Sequence, residues 1–140
     1  MNPIPHKLRT SLNDDAFYHK CCLTGKVSKP GVKIDWHHAW KYAGKQLNAE
    51  WNIFPIWDKM HNFYGLKEAV HNSKETENFI KYIALLRADV RKLCIEYPKK
   101  DWVQEFNYLH RVYEREFYSE RYSSISKDFR TLWSISLSKE

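Results

Sequence analysis

The first half of the chain alternates short apolar runs with turn-forming residues. Residues 1–20 have no clear period, whereas residues 32–38, VKIDWHH, alternate apolar and polar side chains and predict a short strand. Residues 52–56, NIFPI, form a second apolar run, whose proline confines it to a sheet edge or a strand end. Residues 42–44 predict a loop, and residues 57–71 are compatible with a helix. The expected order is strand, long loop, strand and helix.

The second half of the chain carries a helical period. Apolar side chains recur every three or four positions over residues 79–97, which predicts one helix. Asn72 or Ser73 can cap its start, and Pro98 stops it. Asp101 can cap a second helix, and the short connection predicts an antiparallel hairpin. A last amphipathic segment predicts a short C-terminal helix with the apolar side chains Phe129, Leu132, Trp133 and Leu137.

Length and composition narrow the class of protein. A chain of 140 residues has the length of one domain, or of a small domain with an extension, and can bury a core without disulfides. Its three cysteines, two of them adjacent, are not the framework of a secreted protein. The sequence contains neither a membrane-spanning apolar run nor the apolar segment of a signal peptide. We therefore expect a soluble, intracellular protein of the cytoplasm with no membrane partner.

Positive charge is concentrated in one segment. Lys and Arg number 23 against 17 Asp and Glu, a formal net charge of +6. Between Lys20 and Lys45 the chain has six lysines and one acidic residue, Asp35. This distribution favours a polyanionic partner, and a merely solvated lysine-rich loop is the alternative. The candidates for phosphate contact are Lys26, Lys29, Lys33, Lys41 and Lys45.

Three histidines and an asparagine stand out by their order. His37 and His38 end the first predicted strand, Asn52 opens the second, and His61 follows nine residues later in the predicted helix. A single histidine is more often hydrogen-bonded or exposed than a metal ligand, so the spacing carries the interpretation. Phosphodiester hydrolysis needs a base, a cation on the phosphate oxygens and a fixed geometry between them. A neutral imidazole, with a pKa of about 6.5, suits the role of the base.

This arrangement resembles the HNH nuclease family, which has the ββα-metal fold. Many members carry an Asp/Glu-x-His-His element on a strand, which residues 35–38 (DWHH) match. Their second strand opens with an asparagine in a run similar to residues 52–56, and a histidine follows nine positions later, as His61 does here. The resemblance covers residues 21–65, which is less than half of the chain.

The resemblance implies a role for each matched residue. His38 is the general base, His37 and His61 bind one divalent cation, and the Asn52 side chain holds the intervening loop and orients the base. Two protein ligands leave coordination positions open for water and phosphate oxygens. Asp35 lies two residues before His37 on the predicted strand, so it can share a face with that ring and accept its hydrogen bond. An ordinary solvated carboxylate is an equally open interpretation of Asp35.

The sequence departs from a common pattern of the family. Many relatives bind a structural zinc through two CxxC pairs, but Trp57 and Met60 occupy the positions of the second pair, and Cys21 and Cys22 are adjacent. We therefore expect no structural four-cysteine zinc. Some relatives have a third histidine where this chain has Gly65. A site with two histidines favours Mg²⁺, with Mn²⁺, Ni²⁺ or Zn²⁺ as alternatives.

These observations predict an α+β protein. Residues 1–71 would form a small ββα-metal, HNH-like core, and residues 72–140 a helical extension made of the hairpin and the C-terminal helix. The expected function is metal-dependent endonuclease cleavage of DNA, as in compact phage or mobile-element nucleases. The alternatives are a catalytically weak or inactive DNA- or protein-binding module on the same scaffold, and a helical interaction protein. The aromatic stripes of the hairpin are interpreted as core, or as the face of a homodimer.

Overall fold

The computed structural model describes residues 3–59, 73–122 and 125–138. Over these residues the chain forms five α-helices and two antiparallel sheets of two strands each, which confirms the predicted α+β class. None of these helices is long and apolar enough to cross a membrane. The helices are α1 (His6–Asn13), α2 (Lys74–Arg87), α3 (Val90–Glu96), α4 (Trp102–Tyr113) and α5 (Lys127–Ser138). The strands are β1 (Ile34–His38), β2 (Lys41–Tyr42), β3 (Lys45–Gln46) and β4 (Ile53–Trp57).

The two strands predicted from the sequence pair with each other. β1 and β4 are antiparallel, with His38 opposite Ile53 and Ile34 opposite Trp57. The first four residues of β4 are buried, whereas β1 is mostly half-buried. Pro55 is tolerated because each strand of a two-stranded sheet has an outer edge that needs no donor. The register brings both ends of the 39–52 loop together beside His38.

That loop contains a small hairpin where the sequence predicted only a loop. β2 and β3 pair in register, with Lys41 opposite Gln46 and Tyr42 opposite Lys45. Ala43 has a φ of 52° and Gly44 a φ of 80°. Two successive residues with positive φ form the tight turn whose twist suits a hairpin. The hairpin gives the loop a regular backbone next to the histidines.

Two helical predictions were wrong in detail. The first twenty residues, expected to be irregular apart from one short helical turn around Asp14–Lys20, have that turn as a 3-10 helix over Ala16–His19 but also include α1, whose Leu12 is buried beside Tyr18 and Ile53. The single helix expected over residues 73–97 is divided into α2 and α3. Ala88 adopts an extended backbone, and the side chain of Asp89 accepts a hydrogen bond from the backbone N–H of Arg91, which starts α3. The predicted cap at Ser73 is confirmed by its bond from the N–H of Thr76.

Both halves of the chain contribute to one hydrophobic core. Phe54 and Ile56 of β4 belong to the same buried cluster as Tyr82 of α2, Trp102 of α4 and Trp133 of α5. α4 packs against α2 and α3, and α5 packs against α2. Aromatic side chains bury the largest areas, so the rings of this cluster supply much of the packing between the helices and β4.

Arg87 connects α2 to the first half of the chain. Its guanidinium donates to the carbonyl of Ile53 at 3.1 Å and to the hydroxyl of Tyr18 at 3.0 Å. The same group lies over the rings of Phe17 and Phe54, at 5.3 and 5.2 Å from their centroids. A half-buried guanidinium with two acceptors and two aromatic faces fixes the position of β4 on α2.

Candidate active site

His37 and His38 line a cleft of about 520 Å³ at the end of β1. The cleft is bounded by residues 36–41 and by Gln46, Glu77, Lys81 and Lys100, and we call it the histidine cleft. The imidazole of His37 is buried, with 6% of its surface exposed, and its Nε2 atom has almost no solvent contact. His38 is half-buried. Two imidazoles therefore border a space large enough for a phosphate group and several waters.

His38 is held through one of its two ring nitrogens. Its Nε2 lies 2.8 Å from Oδ1 of Asn48. The other end of that amide, Nδ2, donates to the carbonyl oxygen of Pro3 at 2.9 Å. Because a carbonyl only accepts, the amide nitrogen must face Pro3 and the amide oxygen must face His38. The hydrogen of a neutral His38 ring then lies on Nε2, and Nδ1 carries the lone pair that can accept a proton.

The environment of His38 favours the neutral ring. Burial lowers the pKa of His38 from its ordinary value, and the hydrogen bond with Asn48 raises it by a smaller amount. A lowered pKa means that the imidazole is mostly unprotonated at neutral pH. The ring can therefore act as a base there without first losing a proton.

Asn52 fastens the loop that connects the two strands. Its Oδ1 accepts from the backbone N–H of Trp40 at 2.7 Å, while its Nδ2 donates to the carbonyls of Trp40 and Leu47 at 3.0 and 2.9 Å. The side chain is fully buried. Asn52 ends a 3-10 turn over Glu50–Asn52, so it precedes β4 instead of opening it as predicted. Its amide fixes the backbone two residues after His38.

The predicted lysines are distributed over different surfaces. Of the five, Lys41 lines the histidine cleft. Lys26 lies over the ring of Trp57, 4.7 Å from its centroid. The Lys33 ammonium is 3.8 Å from the carboxylate of Asp35, which was predicted to be the partner of His37. Asp35 also borders a separate pocket beside Trp36. Lys29 and Lys45 are exposed.

The remaining predicted ligand, His61, lies outside the described residues, as do Met60 and Gly65. Over residues 3–59, 73–122 and 125–138, no three His, Cys, Asp or Glu side chains gather as a metal site would require. The donor chemistry of His37 nevertheless suits a cation, because imidazole is a common metal ligand and His37 is among the residues that line the cleft. His37 therefore fits one position of a shared site.

The adjacent cysteines belong to the hydrophobic core. Cys21 and Cys22 are buried, with 2% and 1% of their surfaces exposed, and each has a free thiol. Burial raises the pKa of the Cys22 thiol well above its ordinary value, and the neighbouring Cys21 adds to that shift. A thiol with a raised pKa stays protonated, whereas zinc binds the thiolate. Trp57 is only partly buried and has Lys26 and Lys59 over its ring.

Three residues of the histidine cleft and its support were not predicted from the sequence. Asn48 orients His38, and Lys81 and Lys100 line the cleft from the helical half. Asn48 is an ordinary loop residue in the sequence. Lys81 follows Glu77 by four positions, which is typical of a solvated helix pair. The sequence therefore gave no local signal for any of the three.

The chain has no significant match among protein-family models, curated proteins or solved structures.

Proposed function

We propose that the protein is a metal-dependent endonuclease of the HNH type that hydrolyses DNA phosphodiester bonds. The observation that carries the proposal is the state of His38, a half-buried imidazole that borders an open cleft and is held through Nε2. The resemblance of residues 35–38 and 52–56 to the family motif supports the assignment of roles. The antiparallel pairing of the two motif strands is consistent with the start of a ββα-metal core.

In the proposed mechanism His38 is the general base. Its Nδ1 takes a proton from a water molecule, and the resulting imidazolium keeps its Nε2–H bond to Asn48. Asn52 holds the backbone of Trp40, so the loop beside the base keeps its shape while the proton moves. Because the base is already held in position next to the water, less entropy is lost on reaching the transition state, and the barrier is lower.

His37 and His61 would hold the divalent cation, with Mg²⁺ favoured. Such a cation, when bound, supplies positive charge to the phosphate oxygens. His37 is suited to this role by its burial, because a desolvated imidazole with restricted motion loses little freedom on binding a metal. Lys41, at the rim of the same cleft, would contact a neighbouring phosphate.

The proposal is tested by incubating the purified protein with supercoiled plasmid in EDTA, Mg²⁺, Mn²⁺, Ni²⁺ or Zn²⁺. We expect nicked or linear plasmid with at least one cation and intact plasmid in EDTA. His6→Ala is the control variant and should cleave as the wild type does, because the His6 side chain is exposed on α1 and does not line the histidine cleft. Plasmid that stays intact under every condition while the protein binds it would favour the non-catalytic binding module instead.

A further inference from the structure

The ring of Trp40 is close to two lysine ammonium groups that come from the helical half of the chain. The Lys81 ammonium, from α2, is 5.1 Å from the centroid of the indole ring. The Lys100 ammonium, just before α4, is 5.4 Å from the same centroid. The indole is buried, and its Nε1 donates to the carbonyl of Lys81 at 3.0 Å. One ring thus holds two cations next to His37 and His38.

The charges that line the histidine cleft are predominantly positive. Lys41, Lys81 and Lys100 contribute three ammonium groups against the single carboxylate of Glu77, which leaves an excess of two positive charges. Glu77 lies 3.6 Å from the Lys81 ammonium, so it neutralises part of that charge. Over the described residues, no carboxylate comes within ion-pair distance of Lys100. Its charge, like that of Lys41, is therefore available to an anion.

We propose that Lys81 and Lys100 form a phosphate-binding site for the DNA backbone beside the bond that is cleaved. This inference rests on the proposed function and assigns a role in substrate binding to the helical half. Duplex DNA carries one negative charge per about 1.7 Å of helix axis, so phosphates adjacent to the reacting one need cations nearby. Both lysines border the cleft that contains the proposed base.

The packing of the two lysines suits a binding site better than a solvated surface. The Lys81 side chain has only 28% of its surface exposed, and Lys100 is half-buried. Their ammonium groups both lie over the ring of Trp40, and that of Lys100 is also 5.8 Å from the centroid of the Trp102 ring. A side chain that is already ordered loses less entropy when it binds a phosphate. The indole faces add attraction for the ammonium groups without neutralising them.

The test measures DNA binding without cleavage. The His38→Ala protein is titrated with a fluorescently labelled duplex in EDTA at several salt concentrations. Lys100→Gln, which keeps a long side chain over Trp40, should weaken binding and lower the slope of log affinity against log salt by roughly 0.9. Adding Lys81→Gln should lower it further. Thermal melting checks that each variant is folded.

Lys99→Gln is the matched control, because Lys99 is adjacent, exposed and outside the histidine cleft. Lys99→Gln removes the same charge as Lys100→Gln. Because Lys99 lies outside the cleft, the slope for Lys99→Gln should stay near that of the parent protein. Equal slopes for Lys99→Gln and Lys100→Gln would overturn the proposal, as would a parent protein that does not bind the duplex. Glu77→Gln should tighten binding, because it releases the Lys81 ammonium, and unchanged binding there would also count against the proposal.

These results separate the phosphate site from the nuclease. Plasmid cleavage by the wild type, with no selective effect of Lys100→Gln on binding, would leave the nuclease in place and remove the phosphate site. A selective loss of slope in a protein that never cleaves plasmid would leave the phosphate site in place and remove the nuclease.

Discussion

At the scale of single residues, the two adjacent histidines have different surroundings. His37 is buried, whereas His38 is half-buried and has one ring nitrogen bonded to Asn48. The two histidines are successive residues of β1 and both line the histidine cleft, so they differ in burial and in the bond to Asn48. Two rings with different surroundings are suited to different tasks, here cation binding for His37 and proton transfer for His38.

Alanine variants of the two histidines should therefore fail in different ways. His38→Ala should reduce the cleavage rate by roughly a hundred- to ten-thousand-fold, the usual contribution of a general base, and leave metal affinity close to that of the wild type. His37→Ala should weaken metal binding, so that a higher concentration of metal partly restores cleavage. Calorimetry with Mn²⁺ and plasmid cleavage measure the two effects. Wild-type cleavage by His38→Ala would refute the assigned mechanism.

Asn48 should affect catalysis without affecting DNA binding. It orients the His38 ring but does not line the histidine cleft. Asn48→Ala should lower kcat by about ten- to a hundredfold, the range found for partners that orient an imidazole, and leave KM for DNA unchanged. Asn13→Ala is the control, because that side chain is exposed. A rise in KM with an unchanged kcat would assign Asn48 to substrate binding instead.

At the scale of elements, the loop between β1 and β4 depends on one buried amide. Removing the Asn52 side chain leaves the N–H of Trp40 and the carbonyls of Trp40 and Leu47 without their partner. Each buried polar group left unsatisfied costs about 1–3 kcal/mol. Asn52→Ala should therefore lower the free energy of unfolding by at least about 2 kcal/mol. Urea denaturation measures the loss, and exposed Asn107→Ala on α4 should show almost none.

The sequence predicted elements where the deciding interactions are local. The period of two over β1, the apolar run of β4 and the side-chain caps at Ser73 and Asp101 all act within a few residues. The division of the long helix was missed because the helical period continues through it. There the cap at Asp89 and the extended Ala88 outweigh the period. α1 was missed because its apolar face is completed by Tyr18 and Ile53, which follow later in the chain.

Residues of the candidate site also divide into those that a local sequence pattern identifies and those that only the tertiary fold brings together. His37, His38 and Asn52 could be selected because they lie in a short motif with a fixed spacing. Lys81 and Lys100 meet Trp40 only through the tertiary fold, across a separation of 41 residues for Lys81 and a longer one for Lys100. No periodicity in the sequence encodes such a contact.

In the molecule as a whole, Arg87 should contribute more to thermal stability than an ordinary surface arginine does. Arg87→Met keeps the length of the side chain but removes its bonds to Ile53 and Tyr18. Hydrogen bonds from a charged group contribute about 1.5–3 kcal/mol each, so Tm should fall by several degrees. Arg91→Met, on an exposed position of α3, is the control. Equal melting of the two variants would show that Arg87 does not connect the halves.

The two halves of the chain, which share one hydrophobic core, leave the ribosome at different times. Residues 36–46 emerge long before Lys100, and Trp133, which is fully buried against Phe79 and Tyr82, emerges later still. A two-stranded pair is at best marginally stable alone in water, so β1 and β4 cannot hold the histidines in place on the nascent chain. The cleft therefore cannot be complete before Lys100 has been translated, and a chain stalled before that point carries both histidines without the full wall of the cleft.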